Sequence, residues 1–312
     1  MSRLHLIQQP VKPSDCALAV GVPITREAFK RDLEEPDLKD YASHFKRLNF
    51  LSGVSNEYYA DLFEASAKVA RRVCDQVEAL GVCVVRSANL DDLSKLLARF
   101  KVITIVTHWR FMKLRPEDIL DIHQLWESLL TPTSRAHSAV ARALSKEDPT
   151  LLAAANSSRI DSADFRRRVA GALTSVVVAS HRAYKVSDNS GETGSEVAPN
   201  EVLERLTRVE LEESFAGSIA PGKSVEFSDC MRGVSEVVAS VPNGFGGLLD
   251  LTTCNSVILG KAIKLSRPKC VVAMNRYETP LHVRMPLYKL VIEELARRPA
   301  PYADTLSRFH TN

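Results

Sequence analysis

VITIVTH, residues 102–108, is a short apolar run that ends on a histidine, and GLLDLTTC, residues 247–254, is a second such run that ends on a cysteine. Short continuous apolar runs of this kind are typical of strands buried inside a parallel sheet. In an open α/β sheet, ligands and catalytic groups collect at the carboxyl ends of the strands. We therefore expect His108 and Cys254 at one edge of a sheet, where an imidazole and a thiol would form a base–nucleophile pair.

Alternating strand and helix patterns surround both runs. Val82–Val85 is predicted to be a strand, Asn89–Phe100 a helix, and Val102–Thr107 the next strand, which together make a βαβ unit. The alternation resumes late in the chain, with strands predicted at Leu248–Thr253 and Cys270–Met274 and helices between and after them. The sequence therefore predicts an α/β fold with a mainly parallel sheet and right-handed crossovers.

The remaining segments predict how the chain is organised. Residues 1–55 are punctuated by prolines and are interpreted as an irregular N-terminal extension, and residues 56–312 as the α/β domain. Residues from about 111 to 220 carry several helical patterns and are interpreted as a helical insertion in that domain. Residues 186–199, VSDNSGETGSEVAP, have the composition of a mobile linker. Self-cleavage in this linker is one hypothesis, and an inert surface loop is the alternative.

Composition and charge exclude several classes of protein. The formal net charge is only +3, and no Lys/Arg-rich run of the kind typical of a nucleic-acid patch is present, so we expect no nucleic-acid partner. Met1–His5 lacks the apolar core of a signal peptide, and no run of about 18 apolar residues exists, so we expect a cytoplasmic protein without a membrane partner. The six cysteines are scattered without a CxxC motif, which argues against disulfides and against a metal site.

The neighbourhood of Cys254 suits a reactive thiol. A helix predicted to begin just after Cys254 would direct its N-terminus at the sulfur and favour the thiolate. Backbone N–H groups in the same turn could hold an oxyanion. A lone Cys or His at a strand end more often serves packing, so a structural role stays open for each. The upstream Gly244-Phe245-Gly246-Gly247 lies before a strand rather than between strand and helix, which indicates a turn and not a phosphate-binding loop.

The two runs resemble the caspase-like cysteine peptidases, and among them the prokaryotic CHAT-type peptidases. The resemblance is carried by VITIVTHW (Val102–Trp109) and by SVEFSDCM and VSEVVASVPNGFGGLLDLTTCNS within Ser224–Ser256. It covers roughly residues 82–110 and 224–298, about a third of the chain. It implies a three-layer caspase-like fold and a cysteine endopeptidase that needs no metal or organic cofactor.

The resemblance also implies roles for individual residues. His108 would be the general base and then the general acid, Cys254 the nucleophile, and the backbone N–H groups of Cys254 and Trp109 the oxyanion donors. The family usually has glycine where this chain has Trp109, and this chain lacks the caspase Gln-Ala-Cys signature around Cys254. The candidate residues of a substrate pocket near the two strand ends are Asp250, Thr252, Asn275, Arg276 and Glu278.

Alternatives remain open for several of these assignments. Thr252, two positions before the cysteine, favours neither a basic nor an acidic substrate residue. Asp250 is either a buried hydrogen-bonding strand residue or an acid of the pocket, and residues 275–278 are either pocket or exposed polar loop. By resemblance, the substrate would be a protein of the same bacterial cell, in a stress or anti-phage defence pathway, with a possible regulatory protein partner. The alternatives are a catalytically inactive caspase-like module that binds a partner, and another α/β enzyme or ligand-binding domain that uses the same edge.

Overall fold

In the computed structural model, the described residues are 9–35, 41–48, 53–108, 114–153, 160–174, 214–220, 223–251, 256–275 and 279–309. The chain divides into two compact units, residues 1–110 with 224–312 and residues 111–223. The bounds predicted for the helical insertion, from about 111 to 220, are similar to those of the second unit, residues 111–223. The linker predicted at 186–199 lies outside the described residues.

Seven strands are described: β1 (Cys16–Val20), β2 (Cys83–Val85), β3 (Val102–Val106), β4 (Lys223–Glu226), β5 (Met231–Gly233), β6 (Leu248–Leu251) and β7 (Val271–Met274). Five of them form one sheet in the order β2-β1-β3-β6-β7, and each neighbouring pair is parallel. The predicted α/β fold with a parallel sheet is therefore confirmed. The strands that precede His108 and Cys254, β3 and β6, lie side by side, with Val102 opposite Leu248 and Thr104 opposite Asp250.

Strand β1 corrects the interpretation of residues 1–55 as an irregular extension. Its five residues, CALAV, are completely buried and pair with both β2 and β3. The neighbouring prolines lie outside the strand: Pro13 begins a short 3₁₀ turn that ends at Asp15, and Pro23 follows the strand. The N-terminal segment therefore supplies an inner strand of the sheet.

The helices are, in chain order, α1 (Arg26–Glu34), α2 (Tyr41–Leu48), α3 (Asn56–Ala79), α4 (Leu90–Leu97), α5 (Ile122–Leu130), α6 (Arg135–Glu147), α7 (Pro149–Ala153), α8 (residues 163–174), α9 (Val234–Ser240), α10 (Val257–Ser266), α11 (Leu281–Arg297) and α12 (Tyr302–Phe309). Local signals explain several of their ends. The side chain of Asn89 accepts a hydrogen bond from the backbone N–H of Asp92 and caps α4, within the helix predicted at Asn89–Phe100. Gly81, with φ +100°, follows the end of α3.

Helices cover both faces of the sheet in the first unit. One face, which carries Leu18 and Val102, packs with α3, α11 and α12 in a single apolar core. On the opposite face, α4 contacts β1, α10 contacts β7, and α9 contacts both of these helices. The first unit is therefore a three-layer α/β arrangement. In β1, the small side chains of Ala17 and Ala19 point to the face opposite to α3.

The second unit is helical where it is described and has an apolar core of its own. Trp126 of α5 and Phe165 of α8 meet edge to face with their ring centroids 5.0 Å apart, and Phe215 is buried in the same cluster. Helix α8 is described only as far as residue 174, and the residues that follow it lie outside the described ranges until residue 214.

Candidate active site

The predicted site residues fall into two groups. His108, Asp250 and Asn275 belong to the part of the chain that the structure describes, and their surroundings are given below. The other predicted site residues lie outside the described residues, namely Trp109, Thr252, Cys254, Arg276 and Glu278. The structure thus gives the strands, caps and neighbours that flank the proposed nucleophile.

His108 is held at the carboxyl edge of the sheet, two residues after β3 ends. Its side chain is only 7% exposed, and its ring lies edge-on to that of Tyr41 with 5.2 Å between the ring centroids. The backbone N–H of Glu226 donates to the carbonyl oxygen of His108 at 3.0 Å. The hydroxyl of Thr107 donates to the carbonyl oxygen of Glu226. The carbonyl group of His108 and the side chain of the preceding Thr107 are therefore both bonded to β4.

A buried carboxylate belongs to the same cluster. Glu226 is completely buried, and its Oε2 accepts a hydrogen bond from the backbone N–H of Tyr41 at 3.0 Å. Tyr41 is the first residue of α2, and the partial positive charge of a helix N-terminus stabilises an anion. Tyr41 thus contacts both the imidazole of His108 and the carboxylate of Glu226.

Sequence reasoning missed Tyr41 and Glu226. Tyr41 lies in the segment interpreted as an extension, and Glu226 stands between Val225 and Phe227, where strand alternation would place a polar residue on the solvent side. The residue pair is separated by 185 positions, so no local pattern indicates the contact.

Gly21, directly after β1, brings β4 close to this edge of the sheet. Its N–H donates to the carbonyl oxygen of Val106 at 2.8 Å. A Cβ on residue 21 would lie 2.7 Å from the carbonyl oxygen of Glu226 and 3.2 Å from Cα of Phe227. The strand order reverses between β1 and β3, where doubly wound proteins bind ligands. Here the backbone of residues 226–227 fills that crevice, which argues against a nucleotide-type ligand there.

On the other side of His108, Ser256 ties the ends of β6 and β7 together. Its hydroxyl donates to the carbonyl oxygen of Leu251, and its backbone N–H donates to the carbonyl oxygen of Asn275 at 2.9 Å. In return, the backbone N–H of Asn275 donates to Oγ of Ser256 at 3.1 Å. Both ends of the segment that contains Cys254 are therefore fixed, at Leu251 and at Ser256, the N-cap of α10.

The side chains of Asn275 and Asp250 are engaged within the fold. Nδ2 of Asn275, a half-buried residue, donates to Oγ1 of Thr279 at 2.6 Å. Asp250 is completely buried, and its Oδ2 lies 2.5 Å from Nη2 of Arg284 and 2.6 Å from the hydroxyl of Tyr302. Of the two alternatives for Asp250, the structure therefore favours the buried hydrogen-bonding residue over the pocket acid.

The ion pair of Asp250 and Arg284 lies among buried tyrosines. Burial lowers the pKa of Arg284, but the charge of Asp250, its hydrogen bond and the two neighbouring tyrosines together more than offset this and leave that pKa above its ordinary value. Burial also raises the pKa of Tyr302 well above its ordinary value, so its hydroxyl remains a donor to Asp250 over the whole neutral range. Nε and Nη1 of Arg284 are buried without a hydrogen-bond partner among the described residues.

Three other cysteines are buried, and burial should make their thiols unreactive. Burial raises the pKa of Cys16 to about 12, of Cys74 to about 11 and of Cys270 to about 12. Because the thiolate is the nucleophilic form, these cysteines should not react at neutral pH. Cys83 and Cys230 are half-buried and serve as natural references for thiol reactivity.

The fold and this edge define an α/β protein with a five-stranded parallel sheet and a buried histidine–carboxylate cluster at the carboxyl ends of its strands. No family model matches the chain, and no curated protein or solved structure shows significant similarity to it. Among the described residues, no three His, Cys, Asp or Glu side chains group as metal ligands. No helix within the described ranges is both long and apolar enough to cross a membrane.

Proposed function

We propose that the protein is a cysteine endopeptidase of caspase-like type in which His108 and Cys254 form the catalytic dyad. The register between β3 and β6 carries this proposal. Paired residues of these strands differ by 248 − 102 = 146 positions, and His108 and Cys254 differ by 254 − 108 = 146 positions. Both residues therefore come four positions after the pair Thr104–Asp250, at the ends of strands about 4.8 Å apart.

The fixed surroundings of His108 support its role as a base. A general base must first be positioned, and the backbone of residues 107–108 and the ring of Tyr41 hold the imidazole in one place. In the proposed reaction, His108 takes the proton of the Cys254 thiol, and the thiolate attacks the carbonyl carbon of a peptide bond.

The later steps follow from the same groups. The backbone N–H groups of Cys254 and Trp109 would hold the oxyanion, and the N-terminus of α10, three residues after Cys254, would favour the thiolate. When the C–N bond breaks, His108 gives its proton to the leaving amine and a thioester remains on Cys254. A water molecule, deprotonated by His108, then hydrolyses the thioester.

The proposed substrate is a protein, cut at a site bounded by residues 252–255 and by the end of β7. Thr252, Asn275, Arg276 and Glu278 follow the two strand ends and are proposed to line the pocket. As part of the same proposal, the enzyme acts in the bacterial cytoplasm, in stress or anti-phage defence.

A second function is favoured by one specific observation. His108 is only 7% exposed beneath Tyr41, which suits a packing residue better than a base that must meet a substrate. A catalytically inactive caspase-like module that binds a protein partner would retain this arrangement. The reactivity of Cys254 separates the two functions.

Cys254 is expected to react with iodoacetamide at pH 7 about ten times faster than Cys83 or Cys230, because the dyad raises its thiolate fraction from a few per cent to about half. His108→Ala is expected to remove most of this advantage. The rates are measured by timed alkylation and peptide mass spectrometry, in which Cys16, Cys74 and Cys270 should stay unlabelled because burial raises their pKa values.

The matched control is His282→Ala, which removes an exposed histidine of α11 and should leave the rate at Cys254 unchanged. If Cys254 in the wild-type protein labels no faster than Cys83 and Cys230, the dyad is wrong and the partner-binding module is preferred.

A further inference from the structure

A cavity of about 530 Å³ lies at the amino-terminal edge of the sheet, opposite to the proposed active site. The first residues of three strands, Val102, Leu248 and Val271, form part of its lining. Phe245 and Tyr302 also line it, and both are almost completely buried. The volume and the apolar lining are typical of a pocket for a small molecule.

The Gly-Phe-Gly-Gly turn, residues 244–247, builds one wall of this cavity. The backbone N–H of Phe245 donates to the carbonyl oxygen of Pro242 at 3.0 Å, which closes the turn. A Cβ on Gly247 would lie 2.3 Å from the carbonyl oxygen of Lys101 and 2.6 Å from the ring of Phe245. Only glycine at position 247 therefore allows the Phe245 ring to fold back along the cavity. The Gly-Phe-Gly-Gly motif takes no part in the proposed peptidase chemistry. Its role is therefore to shape this cavity.

The charged residues of the lining, Arg99 and Lys101, are both cationic. Lys101 is already paired, because its Nζ lies 3.1 Å from Oδ1 of Asp15. The guanidinium of Arg99 lies 5.5 Å from the centroid of the Phe100 ring, and no carboxylate of the described residues forms an ion pair with it. Arg99 is exposed, so its charge remains available to a ligand at the mouth of the cavity.

We propose that this cavity binds a small molecule made of a flat apolar body and one anionic group. The body would lie among Phe100, Phe245 and Tyr302, and the carboxylate, sulfonate or phosphate would pair with Arg99. The cavity and the proposed dyad lie at opposite ends of the strands, so this site does not depend on the peptidase activity.

Two fluorescent probes test the proposal on the full chain. 8-Anilinonaphthalene-1-sulfonate has the required flat body and one negative charge, and N-phenyl-1-naphthylamine has the same body without the charge. The sulfonate is expected to bind saturably, one molecule per chain. Arg99→Glu should weaken its binding about fivefold and leave binding of the neutral probe unchanged. The matched control is Lys264→Glu, the same charge change on an exposed residue of α10 outside the cavity.

Filling the cavity should weaken both probes. No atom lies within 4 Å of a Cβ added at Gly244, so Gly244→Trp has room to fold, and it should weaken both probes about tenfold. Ala98→Phe, at the exposed end of α4, is a second filling variant whose folding is checked in the same way by circular dichroism. Unsaturable binding by the wild-type protein, or wild-type affinity in both filling variants, overturns the proposal. An equal effect of Arg99→Glu on the binding of both probes overturns the proposal that the ligand carries an anionic group.

Discussion

Replacing Asp250 by alanine is expected to lower the free energy of unfolding by about 3–5 kcal/mol. The substitution leaves the guanidinium of Arg284, itself only 1% exposed, without its counter-charge in an apolar core. It also removes the acceptor of the Tyr302 hydroxyl. The loss is measured by urea unfolding followed by circular dichroism, and hydrogen exchange of peptides from β6 and α11 should localise it to the first unit.

The matched control removes the pair together. In Asp250→Leu with Arg284→Met, no buried charge is left alone, so the double variant should be more stable than Asp250→Ala. Nε and Nη1 of Arg284 have no hydrogen-bond partner among the described residues, which further favours the apolar replacement. A loss of less than about 1 kcal/mol in Asp250→Ala would contradict the burial and pairing on which the prediction rests.

Asp250 also bears on the proposed function through its position in the sheet. Asp250 is the residue of β6 that pairs in register with Thr104 of β3, and the same carboxylate accepts a hydrogen bond from the Thr104 hydroxyl at 3.3 Å. The buried pair thus joins β3, β6 and α11 just below the edge where His108 and Cys254 are proposed to act. Burying a polar group in the core is costly, and here the buried pair links the two strands on whose register the proposed dyad depends.

The sequence is most informative where secondary structure is signalled locally. The apolar runs at 102–106 and 248–251 predict buried parallel strands, and the crossover rule predicts that their carboxyl ends share one edge. Local sequence does not predict strand β1, because CALAV lies between prolines and includes two alanines with little strand preference. Its assignment depends on pairing with β2 and β3, which are more than 60 residues away.

The partners of the site residues could not be predicted for a different reason. Glu226 meets Tyr41 across 185 positions, and Asp250 meets Arg284 across 34 positions through a helix of another layer. In both cases, a buried polar side chain is paired by a tertiary contact that leaves no periodic signal in the chain. The sequence therefore left two alternatives for Asp250, and only the fold distinguishes them. The roles of Cys254 and Trp109 stay predictions, carried by the register of the strands before them.

Gly21→Ala is expected to disturb both the fold and the candidate site. The new Cβ would lie 2.7 Å from the carbonyl oxygen of Glu226, a backbone atom that cannot rotate away, so β4 must shift. Overpacking of this kind costs about 1–3 kcal/mol. Because the backbone N–H of Glu226 donates to the carbonyl oxygen of His108 and its own carbonyl oxygen accepts from Thr107, the shift also loosens the backbone that carries the imidazole. Alkylation of Cys254 should slow several-fold under conditions where circular dichroism shows a folded chain.

Gly244→Ala is the matched control, because it adds the same methyl group in the first unit at a position with no atom within 4 Å of the new Cβ. Its stability should stay within about 0.5 kcal/mol of the wild-type value, with an unchanged rate at Cys254. If the Gly21→Ala protein is less stable but its Cys254 is alkylated at the wild-type rate, the packing of β4 does not control the orientation of His108. That result would leave the imidazole held by Tyr41 alone and would remove Glu226 from the proposed site.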